Sequence, residues 1–271
     1  MKRIQDEEVK EILLSIIKRV DEICKDNNLT YFLFSGTLLG AIRHKGFIPW
    51  DDDIDILMPR DDYNKLNEII KSKDDGLSFL CFENDSNYIY PFGKVCRTDT
   101  RMIENGYKHI DNLGIYVDVF PLDKQGKDLK QSQALVKKMR ILNAFLFESN
   151  LDKYHRNSKK WYYEIPKFFM YPVSKIFGTK YWIKKINKTA QKYNDNNSDF
   201  CGCNVDPNYH ICLKSEWFSS SIEVKFEKYM LKAPIGYDSL LRAMYGDYMQ
   251  LPPENKRVSH HDIEAYYVDE D

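Results

Sequence analysis

A chain of 271 residues that is 43% hydrophobic and 14% aromatic can bury a sizeable core, which argues against an intrinsically disordered protein and favours one elaborated domain or two closely packed ones. The formal net charge of −1 gives no sign of a polyanionic partner. No N-terminal stretch reads as a secretory signal, and six scattered cysteines are typical of reduced thiols, so we expect a cytoplasmic protein.

The first predicted element is a long amphipathic helix that ends near residues 27–28. Apolar residues recur at three- and four-residue steps, as in a helix with one buried face. They are Val9, Ile12, Leu13, Ile16, Ile17, Val20, Ile23 and Cys24. We expect this stripe to pack in the core.

A turn between a strand and a helix follows. The apolar strand that begins at Tyr31 ends in Ser35-Gly36-Thr37, and a helix-like run extends from Leu38 to His44. Glycine lets the backbone approach an anion closely, and the helix N-terminus adds N–H groups and the positive end of its dipole. Thr37 can cap the helix or bond an oxygen atom. The segment therefore predicts a phosphate-binding turn, although the pattern alone is weakly specific.

An acidic run enters the next predicted strand. Residues 49–58 read PWDDDIDILM, in which Asp53 and Asp55 alternate with two isoleucines at the period of a half-buried strand. Two carboxylates on one face repel unless a cation lies between them, but on spacing alone a divalent metal site and a charged turn ahead of a core strand fit equally well. The phosphate turn 16 residues upstream favours the metal site, since nucleotide chemistry places a phosphate beside a metal. For Asp51 and Asp52, which precede the strand, we expect a structural or supporting role.

Residues 61–120 predict a helix and then the strands of one mixed sheet. The helix covers 61–71, and the strands cover 78–83, about 89–97, 101–104 and 114–120. Lys94 can point toward the face of the metal carboxylates, whereas Arg97 faces the other side. We expect Lys94, and with lower rank Arg97, to contact phosphate. The alternative is that both are solvated strand residues.

The second half of the chain is helical from Asp128 to about Asn194, with short strands and one helix at 237–245 beyond it. Residues 153–192 carry eleven Lys or Arg, one acid and ten aromatics, among them Trp161, Tyr162 and Tyr163. Prolines and lysines interrupt the apolar run, which excludes a membrane span of ~20 apolar residues. Two interpretations stay open: peripheral contact with an anionic membrane, or a helical subdomain with an aromatic core and solvated lysines. Some of these aromatics could instead enclose a quaternary ammonium group.

Two further interpretations are disfavoured. Cys201, Cys203, His210 and Cys212 are zinc-ligand types, but the gaps in Cys-x-Cys and His-x-Cys are shorter than those of common zinc knuckles. A non-catalytic nucleic-acid-binding protein could use the basic and aromatic stretch to stack bases. The metal carboxylates would repel such a partner, so we expect no nucleic acid.

Three segments together resemble the signature of the LicD family. They are SGTLLGAIRHKGFIPWDDDIDILMPRDDY at 35–63, GIYVDVFPLD at 114–123 and YGDYMQLPPENKR at 245–257. The resemblance implies an α+β fold in which residues 1–126 form a nucleotidyltransferase-type mixed sheet core flanked by helices. Residues 127–271 would then form a helical, basic-aromatic and C-terminal region packed on that core.

The resemblance also implies an active site. Asp53, Asp55 and Asp118 would hold Mg²⁺ or Mn²⁺ beside the turn of Ser35, Gly36 and Thr37, and Asp118 would either complete the metal site or accept a proton. The broader superfamily often has Gly or Ser where this chain has Thr37, which leaves the turn chemistry intact. Lys256 and Arg257, in the third segment, are expected to close over the substrate, the alternative being a surface turn.

The implied reaction is phosphocholine transfer from CDP-choline to a hydroxyl of a cell-surface glycan or its lipid-linked precursor, with release of CMP. Teichoic acid, lipopolysaccharide and capsule are the glycan types that fit. Another CDP-alcohol, carrying glycerol or ribitol phosphate, is an alternative donor. A nucleotidyltransferase that releases pyrophosphate is a third possibility. Such an enzyme would work in the cytoplasm, or peripherally at the inner face of the cell membrane.

Overall fold

The structure is a computed structural model that describes residues 2–104, 110–151, 153–154, 164–257 and 263–268. Its six α-helices are α1 (Asp6–Asp26), α2 (Ser35–Arg43), α3 (Arg60–Ser72), α4 (Leu129–Asn150), α5 (Glu164–Ala190) and α6 (Tyr237–Tyr245). Its twelve strands are β1 (Lys2–Arg3), β2 (Phe32–Leu33), β3 (Asp55–Pro59), β4 (Leu77–Leu80), β5 (Gly93–Arg97), β6 (Thr100–Glu104), β7 (Tyr116–Gly126), β8 (Phe200–Gly202), β9 (Leu213–Lys214), β10 (Ser221–Phe226), β11 (Tyr229–Pro234) and β12 (Ile263–Tyr267). Helices combined with mixed sheets confirm the predicted α+β class. The predicted aromatic residues 161–163 lie outside the described residues.

The sheet that positions the candidate site runs in the order β2-β3-β7-β5-β4. Strands β3 and β7 are parallel, whereas β2 pairs antiparallel with β3, β5 with β7, and β4 with β5. Residues 55–58 of β3 are all buried, as are Val117 and Val119 of β7. The prediction of a half-buried strand at β3 is therefore wrong, because β3 lies inside the sheet with helices α2 and α3 packed against it.

The helices follow the sequence patterns closely. The apolar stripe lies on α1, where Ile17, Val20 and Ile23 are fully buried. The helix predicted at 61–71 is α3, and α6 has the predicted bounds. Helix α2, however, begins at Ser35 rather than at Leu38, so the glycine turn is the first turn of the helix itself.

The edges of the predicted sheet need two corrections. Strand β6 does not join the mixed sheet but pairs with β12, which also pairs with β1, within a separate antiparallel sheet. Strand β12 lies beyond the last predicted helix, at 237–245. Periodicity identifies a strand but not its partner, and here the paired residues Thr100 and Tyr267 are far apart in the sequence. Strand β5 begins at Gly93 rather than near residue 89, since Pro91 has no N–H to donate to a neighbouring strand.

Backbone contacts divide the chain into two compact units. The first comprises residues 1–80, 93–122 and 213–271, and the second comprises residues 81–92 and 123–212. In the second unit α4 packs along α5, with the rings of Phe145 and Trp182 stacked at a centroid distance of 4.4 Å. None of the helices within the described ranges is long and apolar enough to cross a membrane. The predicted domain boundary at residue 126 stays a prediction.

Candidate active site

Two carboxylates lie directly opposite each other on the central parallel strands. Asp55 of β3 and Asp118 of β7 are Cα partners, and the backbone N–H of Asp118 donates to the carbonyl of Ile54 at 2.9 Å. Residues paired in this way project their side chains to the same face of a sheet. Asp55 is only 6% exposed, and the Asp118 side chain is 13% exposed. The first and second of the sequence segments therefore meet at one buried acidic pair.

The third predicted ligand, Asp53, is placed differently. Strand β3 begins at Asp55, so Asp53 lies before the strand and does not share the strand alternation that the sequence predicted. It is half-buried, as are Asp51 and Asp52. The strand alternation does not extend back to Asp53, because the backbone pairing of β3 with β7 begins only at the carbonyl of Ile54.

Helix α2 begins beside these carboxylates. Ser35 adopts a left-handed φ of 49°, and the first turn of a helix presents N–H groups that have no acceptor within the helix. The Thr37 hydroxyl accepts a 2.8 Å hydrogen bond from the backbone N–H of Asp55, and the Phe34 N–H donates to the Asp55 carbonyl at 3.0 Å. Thr37 therefore ties the start of α2 to the start of β3.

The Asp51 carboxylate approaches the backbone closely at Gly36. A Cβ atom at this position would lie 2.7 Å from Oδ2 of Asp51, closer than real Cβ contacts. The Asp51 carboxylate thus rests against the first turn of α2, where the helix dipole favours negative charge. The sequence predicted only a structural or supporting role for Asp51, because the approach depends on the fold of the loop at 44–50.

Lys94 holds the carboxylate of Asp118. The two residues are Cα partners on β5 and β7, and Lys94 Nζ lies 2.8 Å from Asp118 Oδ1. Lys94 is 3% exposed, and its ammonium also lies 3.4 Å from the ring centroid of Tyr116. An ion pair this deeply buried is strongly destabilised when one partner is removed. Lys94 is therefore a positioning group for Asp118.

Tyr245 reaches the same place from the C-terminal part of the chain. Its hydroxyl lies 3.1 Å from the Ser35 hydroxyl, while its ring is partly exposed. The enclosure of the hydroxyl end raises the pKa of Tyr245 to about 12, and the charges of Asp55, Asp51 and Asp53 add to the shift. The negative charge of all three carboxylates therefore acts at one point next to α2. Sequence reasoning missed Tyr245, although it opens the third conspicuous segment and precedes Gly246, a glycine typical of a helix end.

The other predicted cations are Arg257, Lys256 and Arg97. Arg257 lies with Cζ 5.7 Å from the ring centroid of Trp50, and its Nε donates to the Pro252 carbonyl at 2.9 Å. Lys256 is exposed in the single 3-10 turn of Glu254–Lys256. Arg97 forms a bidentate ion pair with Asp99, at 2.7 and 2.6 Å, and this bond raises the pKa of the guanidinium. The structure thus brings Lys94, but not Arg97, to the paired carboxylates.

The carboxylates suit a divalent cation by their chemistry and partly by their arrangement. Oxygen donors are the ligands that Mg²⁺ and Mn²⁺ prefer, and Asp55 and Asp118 share one buried face. Among the described residues, however, no three His, Cys, Asp or Glu side chains form a group that could hold a metal ion as they stand. The predicted metal ligands stay a prediction.

Of the four residues with zinc-ligand chemistry, Cys201, Cys203 and His210 are buried and Cys212 is half-buried. Burial raises the pKa of the Cys203 thiol, which opposes the thiolate form that zinc binds. Burial, followed by the charge of Arg140, lowers the pKa of His210 to about 4, and its Nε2 lies 3.0 Å from Nδ2 of Asn143. The part of the chain that the structure describes contains all four residues and no metal-competent cluster.

Known proteins resemble this chain over all or part of its length. The sequence profile of the family described as LicD/FKTN/FKRP, nucleotidyltransferase domain, matches residues 28–184. The lipopolysaccharide cholinephosphotransferase LicD of Haemophilus influenzae is 31% identical over 276 residues, which cover 99% of this chain and 100% of that relative. An uncharacterised protein of Rickettsia prowazekii is 40% identical over 76 residues, which cover 25% of this chain and 29% of that relative. The family match includes both paired carboxylates and Lys94.

Proposed function

The chain belongs to the LicD family, and from this premise we propose that it transfers phosphocholine from CDP-choline to a hydroxyl of lipopolysaccharide or a related cell-surface glycan. CMP is the leaving group. Membership confirms the resemblance predicted from the three segments, and with it the prediction of a phosphotransferase. The observation that carries the proposed substrates is the similarity, over the full length of both chains, to a lipopolysaccharide cholinephosphotransferase.

The electrostatics of the site support a cation-dependent reaction. The first turn of α2 is suited to bind phosphate oxygens of the donor, yet Asp51 rests against Gly36 in that turn, and Asp53 and Asp55 lie close by. A bare pyrophosphate would be repelled by these carboxylates. A divalent cation, when bound, neutralises the charge of the phosphates and of the carboxylates together. We assign Asp53 and Asp55 to hold Mg²⁺ or Mn²⁺.

The remaining residues position the reacting groups. Ser35, Gly36 and Thr37 bind the donor phosphates, with Thr37 also fixing the start of β3. Asp118, held by Lys94, either completes the cation site or accepts the proton of the attacking hydroxyl. Arg257 stands over Trp50, one residue before the acidic run, where it can meet the donor's negative charge.

The test is CMP release from CDP-choline in the presence of Mg²⁺ and lipopolysaccharide acceptor. Asp53→Asn and Asp55→Asn should each lower the rate by more than about a hundredfold, as loss of a group that stabilises transition-state charge does. Asp74→Asn removes an exposed carboxylate and serves as the matched control. Near wild-type rates in either folded variant would refute the assigned roles.

The same assay separates the alternatives by their products. Running CDP-glycerol and CDP-ribitol beside CDP-choline identifies the alcohol that is transferred. Pyrophosphate release from a nucleoside triphosphate, without CMP release from any CDP-alcohol, would replace the proposed reaction with nucleotidyl transfer. Chelation of divalent cations should abolish CMP release, and full activity in chelator would contradict the cation dependence.

A further inference from the structure

Helix α5 reverses its amphipathic pattern at Gly178, where the backbone kinks with φ 74° and ψ 164°. Before the kink, six large apolar side chains are exposed to solvent. They are Ile165 (49%), Phe168 (64%), Phe169 (66%), Val173 (38%), Ile176 (79%) and Phe177 (52%). They recur at three- and four-residue steps and so form one stripe along the helix. A contiguous apolar face of this kind is unusual for a surface that meets only water.

The half of α5 after the kink has the ordinary pattern. Trp182, Ile183 and Ile186 are buried there, while the exposed positions are basic apart from Tyr181 at 39% exposure. The exposed lysines are Lys180, Lys184, Lys185 and Lys188. One helix thus presents an apolar half followed by a positively charged half on its solvent side.

Polar contacts hold the first half in this orientation. Glu164 and Ser174 are buried on the inner side, where the Glu164 carboxylate accepts a 2.8 Å hydrogen bond from Tyr154 and the Ser174 carbonyl accepts one from Trp182 at 3.1 Å. Lys175 Nζ donates to the carbonyl of Ser149 at 3.0 Å. Rolling the helix to bury its phenylalanines would break these bonds. The apolar stripe is therefore kept outward by the fold.

We propose that this surface of α5 docks on an anionic lipid bilayer. The apolar stripe would lie at the boundary between headgroups and acyl chains, and the four lysines after the kink would contact lipid phosphates. The helix as a whole carries six lysines and one acid, Glu164. A second copy of this chain docked on the same face would bring lysines against lysines in a parallel arrangement and lysines against the apolar stripe in an antiparallel one, whereas an anionic membrane supplies both the apolar and the negative partner. The proposal of membrane docking is argued from α5 alone. That docking brings the enzyme to a lipid-anchored acceptor is a further step, which rests on the proposed function.

The experiment is co-sedimentation of the full chain with vesicles of phosphatidylglycerol and phosphatidylethanolamine, compared with phosphatidylcholine vesicles. We expect binding to the anionic vesicles only, weakening as salt is raised. The double variant Phe168→Ser/Phe169→Ser should lower the partition coefficient more than about tenfold, since each ring brings substantial apolar area to the lipid. Removing one lysine should lower the partition coefficient about fivefold. Lys185→Glu/Lys188→Glu also adds two negative charges, so it should lower the partition coefficient by more than the loss of two lysines alone. Met230→Ser, at an exposed apolar position of β11, should bind as the wild type does.

Three results would overturn the docking surface. The first is no binding to anionic vesicles at low salt, and the second is unchanged binding in the phenylalanine variant. The third is a wild-type protein that self-associates but binds no vesicles, together with a phenylalanine variant that is monomeric. Circular dichroism shows whether each variant is folded, and the lysine variant tests the same surface if the phenylalanine variant is not. CMP release with a soluble acceptor should be unchanged in the phenylalanine variant. Vesicle binding without CMP release would refute the proposed function alone, and CMP release without vesicle binding would refute the docking alone.

Discussion

Replacing Lys94 by methionine should destabilise the protein and disable Asp118. The two charged atoms lie 2.8 Å apart with side-chain exposures of 3% and 13%, so their direct attraction is about 6 kcal/mol at an effective dielectric constant of ~20. Part of this lost attraction is offset because the variant no longer has to desolvate the lysine ammonium. What remains is an uncompensated buried carboxylate, and such losses are about 3–5 kcal/mol. The residual exposure of Asp118 places our expectation near the lower end, at about 3 kcal/mol.

Urea unfolding measures this loss, with Lys214→Met as the matched control. Lys214 Nζ lies 3.3 Å from Oε1 of Glu216, and both side chains are exposed, at 58% and 69%. An exposed pair of this kind contributes about 1 kcal/mol or less. The double variant Lys94→Met/Asp118→Asn should recover a large part of the loss, because no buried charge is then left alone. A cost below about 1 kcal/mol for Lys94→Met, equal to that of the control, would refute the buried-pair argument.

Two further predictions concern Gly36 and His210. Gly36→Ala should raise KM for the CDP donor by up to about fivefold, because its Cβ must displace the carboxylate end of the flexible Asp51 side chain, at the lower end of the ~1–3 kcal/mol that overpacking costs; an unchanged KM in steady-state kinetics would contradict the close approach. His210 has a folded-state pKa lowered from 6.5 to about 4, so the unfolded chain takes up a proton that the folded chain excludes as the pH falls through this window. Stability should therefore decline from pH 6.5 toward 4, and less steeply in His210→Gln; equal slopes in urea unfolding would show that another group is responsible.

Local patterns predicted the elements more accurately than their partners. The stripe from Val9 to Cys24 specified α1, and the run at 237–245 specified α6, because helix periodicity is set by neighbouring residues. The pairing of β6 with β12 could not be read in this way. The pairing depends on which distant strand the fold brings beside Thr100, and the residues near Thr100 do not indicate that strand.

The candidate site shows the same division. Asp55 was identified from its strand, and Asp118 from the family resemblance, but their direct opposition is a property of the parallel register of β3 and β7. Tyr245 contacts Ser35 across 210 residues, and nothing near either residue indicates the contact. The start of α2 was placed three residues late, since Ser35 enters the helix through a left-handed φ that propensity disfavours.

The position of Asp51 links the anion-binding turn to the acidic run in one electrostatic argument. A helix N-terminus stabilises a negative group by about 0.3–1 kcal/mol at an exposed site, and Asp51 already takes that place beside Gly36. A donor phosphate that enters the same turn must therefore either displace Asp51 or share a cation with it. Displacement would leave three neighbouring carboxylates and a phosphate uncompensated. Donor affinity should consequently rise with divalent cation concentration, and this coupling should weaken in Asp51→Asn, since that variant removes the charge without the side-chain volume.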